Sequence, residues 1–186
     1  LKDMFTERNK VKKVFERIHE LLFKYYEESC KIINVQENGY STWAGLWSAK
    51  KHFTLQCDFM VYLSPKMFRE FIFPLILEEC REFDRTIWHL DGPLELPHLD
   101  SLLSIRKLDC IQWIPGEGNP DSGEECWIPL YRKIQEKGKL LQIFVPPEKV
   151  TRILSRITQR GVAIRTICTS RTEARKLIKE IEERFY

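Results

Sequence analysis

The segment Thr86-Ile87-Trp88-His89-Leu90-Asp91-Gly92 decides the fold, because it is an apolar run that ends in polar residues and a glycine. Three further runs of this kind follow at 109–116, 140–145 and 162–168. Apolar residues at helical spacing lie after each run, at 96–108, 126–137, 147–160 and 172–185. Nearly continuous apolar strands are typical of a sheet that is covered on both faces, and strand–helix alternation with short connections predicts a parallel sheet.

The sequence upstream of this region predicts a long helix, an extended part and a second helix. Residues 10–33 carry apolar side chains at helical spacing, and 41–58 is predicted to form two extended pieces. Ser64 and Pro65 predict a helix start, since a hydroxyl cap followed by proline suits the first turn. Pro74 lies inside that helix and predicts a kink or a break. With about five strand–helix units, both a doubly wound sheet and part of a barrel agree with the pattern.

Length, charge and cysteine content exclude several classes of protein. The 186 residues, 43% of them hydrophobic, fit one α/β domain covering 1–186. The formal charge of +3 arises from interleaved charges, which provide no basic patch for nucleic acid or a membrane surface. No apolar run approaches the roughly 18–20 residues of a membrane span. Six cysteines without CxxC spacing predict reduced thiols in a cytoplasmic protein.

Polar and aromatic residues at the predicted carboxyl ends of the strands form the candidate site, because active sites of parallel α/β folds lie at that edge. These residues are Trp43, Asp58, His89, Asp91, Gln112, Trp113 and Cys168. Among them, Trp43, Asp58, Gln112 and Trp113 are the candidates for contact with substrate. The chain contains neither GxGxxG nor GxxxxGK[ST], which argues against nucleotide binding.

His89 and Asp91 are two residues apart on one strand, so their side chains point to the same side. Three interpretations of the pair stay open. The carboxylate can fix the tautomer of an imidazole that serves as a general acid or base. The two side chains can instead ligate zinc, with Cys168 or Cys57 as a thiolate ligand. A hydrogen bond between them can also simply hold the strand end to the following helix, which is the favoured interpretation for the second His-Leu-Asp triplet at His98.

Four short motifs follow one another along the chain, at Leu63–Phe68, Trp88–Gly92, Pro97–Asp100 and Ile111–Gly116. In this order they resemble the uroporphyrinogen decarboxylase family, which includes corrinoid-dependent methyltransferases. The strand that ends in His89-Leu90-Asp91-Gly92 is similar to the family's strand ending in HxDG or, in the methyltransferases, HxCG. The resemblance runs from about residue 10 to the end of the chain.

The resemblance implies a (β/α)₈ TIM barrel, of which this chain covers about strands four to eight. One implied activity is decarboxylation of a tetrapyrrole without a metal, for which the family's conserved aspartate and the arginines that hold substrate carboxylates come from the amino-terminal half of the barrel. His89 and Asp91 are the catalytic candidates within this chain. The other is methyl transfer from a methylated compound to a thiol, with zinc held by His89, Asp91 and Cys168 and a corrinoid carried on a partner protein. The alternative to an enzyme is a half-barrel module that binds a ligand or a partner without catalysis.

The start of the chain and the edges of its sheet also lead to expectations. The sequence begins Leu1-Lys2-Asp3, which is neither a signal peptide nor an initiator, so we expect it to begin inside a longer chain. Five strands of an eight-strand barrel would leave two unpaired edges, and unpaired edges associate readily. We therefore expect a homodimer that covers these edges, or an amino-terminal half of the barrel upstream.

Overall fold

The computed structural model describes residues 1–186 and shows an α/β chain with seven strands and nine α-helices. The strands are β1 (Tyr40–Ser41), β2 (Trp47–Ser48), β3 (His52–Leu55), β4 (Arg85–Asp91), β5 (Cys110–Ile114), β6 (Leu140–Phe144) and β7 (Val162–Arg165). The helices are α1 (Asp3–Thr6), α2 (Arg8–Ile32), α3 (Val35–Asn38), α4 (Pro65–Phe71), α5 (Phe73–Glu82), α6 (Leu99–Leu103), α7 (Ile128–Glu136), α8 (Val150–Leu154) and α9 (Arg171–Phe185). None of these helices is both long enough and apolar enough to cross a membrane.

Strands β3 to β7 form one five-stranded sheet in the order in which they occur along the chain. Strands β4 to β7 pair in parallel, and helices connect them, which confirms the predicted alternation. The short strands β1 and β2 form a separate antiparallel pair. The edges of the larger sheet are β3 and β7.

The chain divides into two compact units. The first unit contains residues 1–55 and 59–86, and the second contains 56–58 and 87–186. That the whole chain is one domain stays a prediction.

Helices and aromatic rings build the first unit. Tyr26 on α2 lies edge-on to Phe53 and Phe83, and its hydroxyl donates to the carbonyl of His52 at 2.9 Å. Both predicted helix signals downstream are confirmed. The Ser64 hydroxyl caps α4, and α4 ends at Phe71 with α5 beginning at Phe73, next to Pro74.

The second unit has a sheet with two different faces, because successive side chains of a strand point to opposite sides. On the central strands β4, β5 and β6, one face carries six large apolar side chains that are at most 1% exposed: Trp88, Leu90, Ile111, Trp113, Leu141 and Ile143. The other face carries a polar row at its centre, which consists of His89, Gln112 and Gln142 in neighbouring register positions. The polar row is therefore part of the sheet itself and does not depend on a loop.

Two predicted helices are shorter than the sequence pattern indicates. Instead of spanning 96–108 and 147–160, they are reduced to α6 and α8, of five residues each. A 3₁₀-helix precedes each one, at Pro93–His98 and Pro147–Lys149, and turns follow Leu103 and Leu154, so the α-helical part is short at both ends. After α6 the chain continues in tight turns, whose carbonyls at Ile105 and Leu108 accept hydrogen bonds from the buried Lys139 ammonium.

Candidate active site

The polar row at the centre of the sheet is a directed chain of hydrogen bonds. The Gln112 amide donates from Nε2 to Gln142 Oε1 at 2.9 Å, and Gln112 Oε1 lies 2.6 Å from His89 Nδ1. Because Gln112 Oε1 can only accept, His89 Nδ1 is the donor, which fixes the tautomer of the neutral ring. Gln112 and Gln142 are almost completely buried, so their hydrogen bonds are required to offset the loss of contact with water.

Asp91 ends β4 and places a carboxylate next to this imidazole. Its Oδ2 lies 3.9 Å from His89 Nε2, and its side chain is 44% exposed. Gly92 follows with φ of +84°, a conformation that favours glycine, and its N–H donates to the carbonyl of Ile114 on β5 at 2.8 Å. A Cβ at Gly116 would lie 3.8 Å from Asp91 Oδ1. Two glycine turns thus flank the carboxylate and leave it accessible to a ligand.

Glu95 is the buried acid of the site. It is 1% exposed in the 3₁₀-helix Pro93–His98, and its Oε2 accepts a hydrogen bond from the Asp91 N–H at 2.8 Å. Burial raises the pKa of the Glu95 carboxyl to about 8; the Asp91 hydrogen bond opposes the shift, and the negative charges of Asp58 and Asp91 add to it. At neutral pH Glu95 therefore holds a proton beside two carboxylates.

The loop after β5 is held in place by the residues around α8. Lys149 forms salt bridges with Asp121 and Glu124, and the Arg152 guanidinium donates to the carbonyl of Gly123 at 3.0 Å. The loop begins with the glycine-rich stretch Pro115-Gly116-Glu117-Gly118, and the ion pairs of Lys149 brace its later part. A braced loop can form a fixed rim for a site at the carboxyl edge of the sheet.

The structure brings together only some of the predicted site residues. His89, Asp91 and Gln112 lie together, and Asp58 is close enough to act on the Glu95 carboxyl. Trp113 is on the opposite face from Gln112, where it is fully buried with its ring centroid 4.9 Å from that of Trp127.

The remaining two predicted residues are Trp43 and Cys168. Trp43 belongs to the first unit, where it is 56% exposed and lines a cavity of about 440 Å³ with Tyr25, Tyr26, Tyr40 and Phe53. Cys168 lies beyond the strand that was predicted to reach it, because β7 ends at Arg165.

No group of three or more histidine, cysteine, aspartate or glutamate side chains is arranged to hold a metal ion. His89, Asp91 and Cys168 therefore do not assemble as a metal centre in this structure. The residues that do converge offer a chain of hydrogen bonds and a proton-bearing carboxyl, which suit proton transfer.

Sequence reasoning missed two members of this cluster, Glu95 and Gln142. Both carry a signal that can be seen in hindsight. Glu95 is a single carboxylate enclosed by Pro93-Leu94 and Leu96-Pro97, and Gln142 is a single polar residue in the apolar run of β6. A lone polar side chain in an apolar segment requires a partner, which is what each one has.

Comparison of the chain with protein-family models, with curated proteins and with solved structures gave no match.

Proposed function

We propose that this chain is an enzyme of the uroporphyrinogen decarboxylase class, that its five-stranded sheet belongs to a (β/α)₈ barrel, and that it removes a carboxyl group from a tetrapyrrole. The observation that carries the proposal is the cluster at the end of β4. There the proton-bearing Glu95 contacts the backbone of Asp91, whose carboxylate is accessible, and His89 has a fixed tautomer. The choice of a tetrapyrrole as substrate comes from the resemblance of the His89-Leu90-Asp91-Gly92 motif to the uroporphyrinogen decarboxylase family.

Decarboxylation needs a proton donor and a negative group in the same site. Protonation of a pyrrole carbon makes the ring an electron acceptor, the bond to the carboxylate breaks with release of carbon dioxide, and its electron pair returns to the ring system. A second proton then adds to the side-chain carbon that carried the carboxylate, and the ring carbon releases the first proton. Asp91 stabilises the positive charge that develops on the ring. Glu95 maintains a proton at the site, and His89 Nε2 exchanges protons with the substrate.

The alternative of methyl transfer through zinc gains no support from the donor set. His89 and Asp91 supply a nitrogen and an oxygen atom, but no third histidine, cysteine or carboxylate joins them in a group that could hold a metal ion. No step is therefore assigned to a metal or to a corrinoid.

The test is turnover of uroporphyrinogen III under anaerobic conditions, with the products oxidised to porphyrins and separated by their number of carboxyl groups. We expect the wild-type protein to produce porphyrins with fewer than eight carboxyl groups. We expect Asp91→Asn to reduce kcat by at least about a hundredfold, on the order of an electrostatic group that acts in the transition state.

Asp100→Asn is the matched control, because Asp100 ends the second His-Leu-Asp triplet and is exposed in a salt bridge with Lys133. Its activity should equal that of the wild type. Failure of the wild type to convert the substrate, or equal rates for wild type and Asp91→Asn, would overturn the proposal. Binding of uroporphyrin without conversion would favour the non-catalytic half-barrel module.

A further inference from the structure

A second row of side chains lies just outside the buried polar row, on the same face of the sheet. Asp91 on β4 pairs with Ile114 on β5, and Phe144 on β6 pairs with Arg165 on β7. Ile114 and Phe144 continue the register in which Trp113 pairs with Ile143. The four last residues of four neighbouring strands thus form what we call the outer row: Asp91, Ile114, Phe144 and Arg165.

The outer row is accessible, unlike the row beneath it. Asp91 and Arg165 are exposed and Ile114 and Phe144 are half-buried, whereas Gln112 and Gln142 are buried. The outer row is therefore the layer of this face that a ligand can contact.

Charge is distributed unequally along the outer row. The β4 end is negative, because Asp91 lies there and Asp58 is near enough to influence Glu95. The β7 end is positive, because the Arg165 guanidinium lies 5.2 Å from the centre of the Phe144 ring. Arg165 forms no salt bridge with a carboxylate of the chain, so its charge is available to a ligand. Between the two ends lie an aliphatic and an aromatic side chain.

We propose that Arg165 is the residue that selects and orients the ligand, by binding a carboxylate while Phe144 supports a flat apolar body. The charged ends are separated by three strand spacings, about 14 Å at roughly 4.8 Å each, which sets the length of the ligand. The negative end repels a carboxylate, so a ligand with a single carboxylate lies with its acid at β7 and its apolar body over Phe144 and Ile114. This inference deepens the proposed function and rests on it for the reaction, but binding at Arg165 can be tested without turnover.

Planar guanidinium geometry supports this assignment, because arginine binds a carboxylate through two parallel hydrogen bonds and stacks on aromatic rings at the same time. Ala163, one step inward on β7, pairs with Gln142 and has the smallest side chain on this face.

The test compares two probes of the same shape, biphenyl-4-carboxylate and biphenyl-4-carboxamide, by isothermal titration at low ionic strength. Wild type should bind the carboxylate at least about tenfold more tightly than the amide, the ratio that one charge-assisted hydrogen bond supplies. Arg165→Met should remove this preference, and Arg165→Lys should retain part of it, because the charge remains without the paired donors. Arg160→Met is the control, since Arg160 is exposed just before β7 and should leave the preference unchanged.

Equal affinity for the two probes, or an undiminished preference in Arg165→Met, would overturn the inference. Its failure is distinguishable from failure of the proposed function. Asp91→Asn should abolish turnover yet preserve the preference for the carboxylate probe. If the wild type converts no uroporphyrinogen but Arg165→Met still abolishes the preference, the ligand-orienting role stands and the reaction is wrong.

Discussion

Two histidines of this chain, one in each unit, are both largely withdrawn from water but have different partners. His19 on α2 is 6% exposed, and both its ring nitrogens face carboxylates of α5, with Nδ1 at 3.2 Å from Glu78 and Nε2 at 2.8 Å from Glu79. His89 has an amide as the partner of Nδ1, and Asp91 lies 3.9 Å from Nε2. An imidazole held on both sides by carboxylates is a cationic link between helices, whereas His89 is held by a neutral group beside an accessible acid. The partners therefore separate a structural histidine from a candidate catalytic one.

Replacement of Gln112 should have the largest effect on stability, because it breaks the support of His89. Gln112→Leu keeps the volume but removes hydrogen bonds to His89 and to Gln142 in a buried layer. We expect a loss of about 2–4 kcal/mol in the free energy of unfolding, measured with urea, since leaving buried polar groups unmatched costs about 1–3 kcal/mol each. Gln36→Leu, at an exposed position of α3, should change it by less than about 0.5 kcal/mol. If Gln112→Leu leaves the free energy of unfolding unchanged, the polar row does not hold the His89 ring in place.

Replacement of Glu95 should change how stability depends on pH, because its carboxyl is buried next to Asp91. Its pKa of about 8 in the folded chain exceeds its ordinary value of 4.5, so the folded state binds the extra proton and loses stability as the pH rises from 4.5 towards 8. Glu95→Gln removes this dependence. The free energy of unfolding of the variant minus that of the wild type should therefore grow by a few kcal/mol between pH 5 and pH 9, at about 1.4 kcal/mol per pKa unit. A constant difference over this range would show that Glu95 is ionised throughout.

His19 should give a smaller dependence of stability on pH than Glu95. Both groups lose their stabilising effect as the pH rises, but neighbouring carboxylates raise the pKa of His19, whereas burial raises the pKa of Glu95. Burial disfavours its charged ring, yet the hydrogen bonds and charges of Glu79 and Glu78 outweigh burial and raise the pKa of His19 above 6.5. The stabilisation is complete below pH 6.5 and is lost as the pH rises through the raised value. In a Glu95→Gln background, His19→Gln should cost about 1–2 kcal/mol at pH 5.5 and less at pH 9. The same cost at both pH values would contradict a cationic link.

Features that depend on neighbours in sequence could be predicted, and those that depend on tertiary contacts could not. The strands around Trp88 and Ile111 are apolar runs, and the cap at Ser64 and the break at Pro74 are local signals. The predicted helices after β4 and β6 are too long, because apolar spacing shows neither the 3₁₀-helices that precede α6 and α8 nor the turns that follow them.

The same distinction holds at the candidate site. Strand alternation predicts that His89 and Asp91 share a side, and it also implies that Trp113 faces away from Gln112. The lone carboxylate of Glu95 in an apolar segment indicates that it needs a partner, but it does not show that Asp58, distant in sequence, influences the same carboxyl.

The smallest effect is expected at the loop after β5, where Lys149→Met tests whether ion pairs alone keep the rim of the candidate site in place. Lys149 bridges Asp121 and Glu124, and its methylene groups lie where a Cβ on Gly123 would be. Because exposed ion pairs contribute little to global stability, the melting temperature should stay the same, while amide hydrogen exchange in residues 121–124 should accelerate severalfold. Lys133→Met, which breaks the exposed pair with Asp100, should leave exchange in this loop unchanged. If exchange in residues 121–124 is also unchanged in Lys149→Met, the hydrogen bond from Arg152 to Gly123 is sufficient to hold the rim.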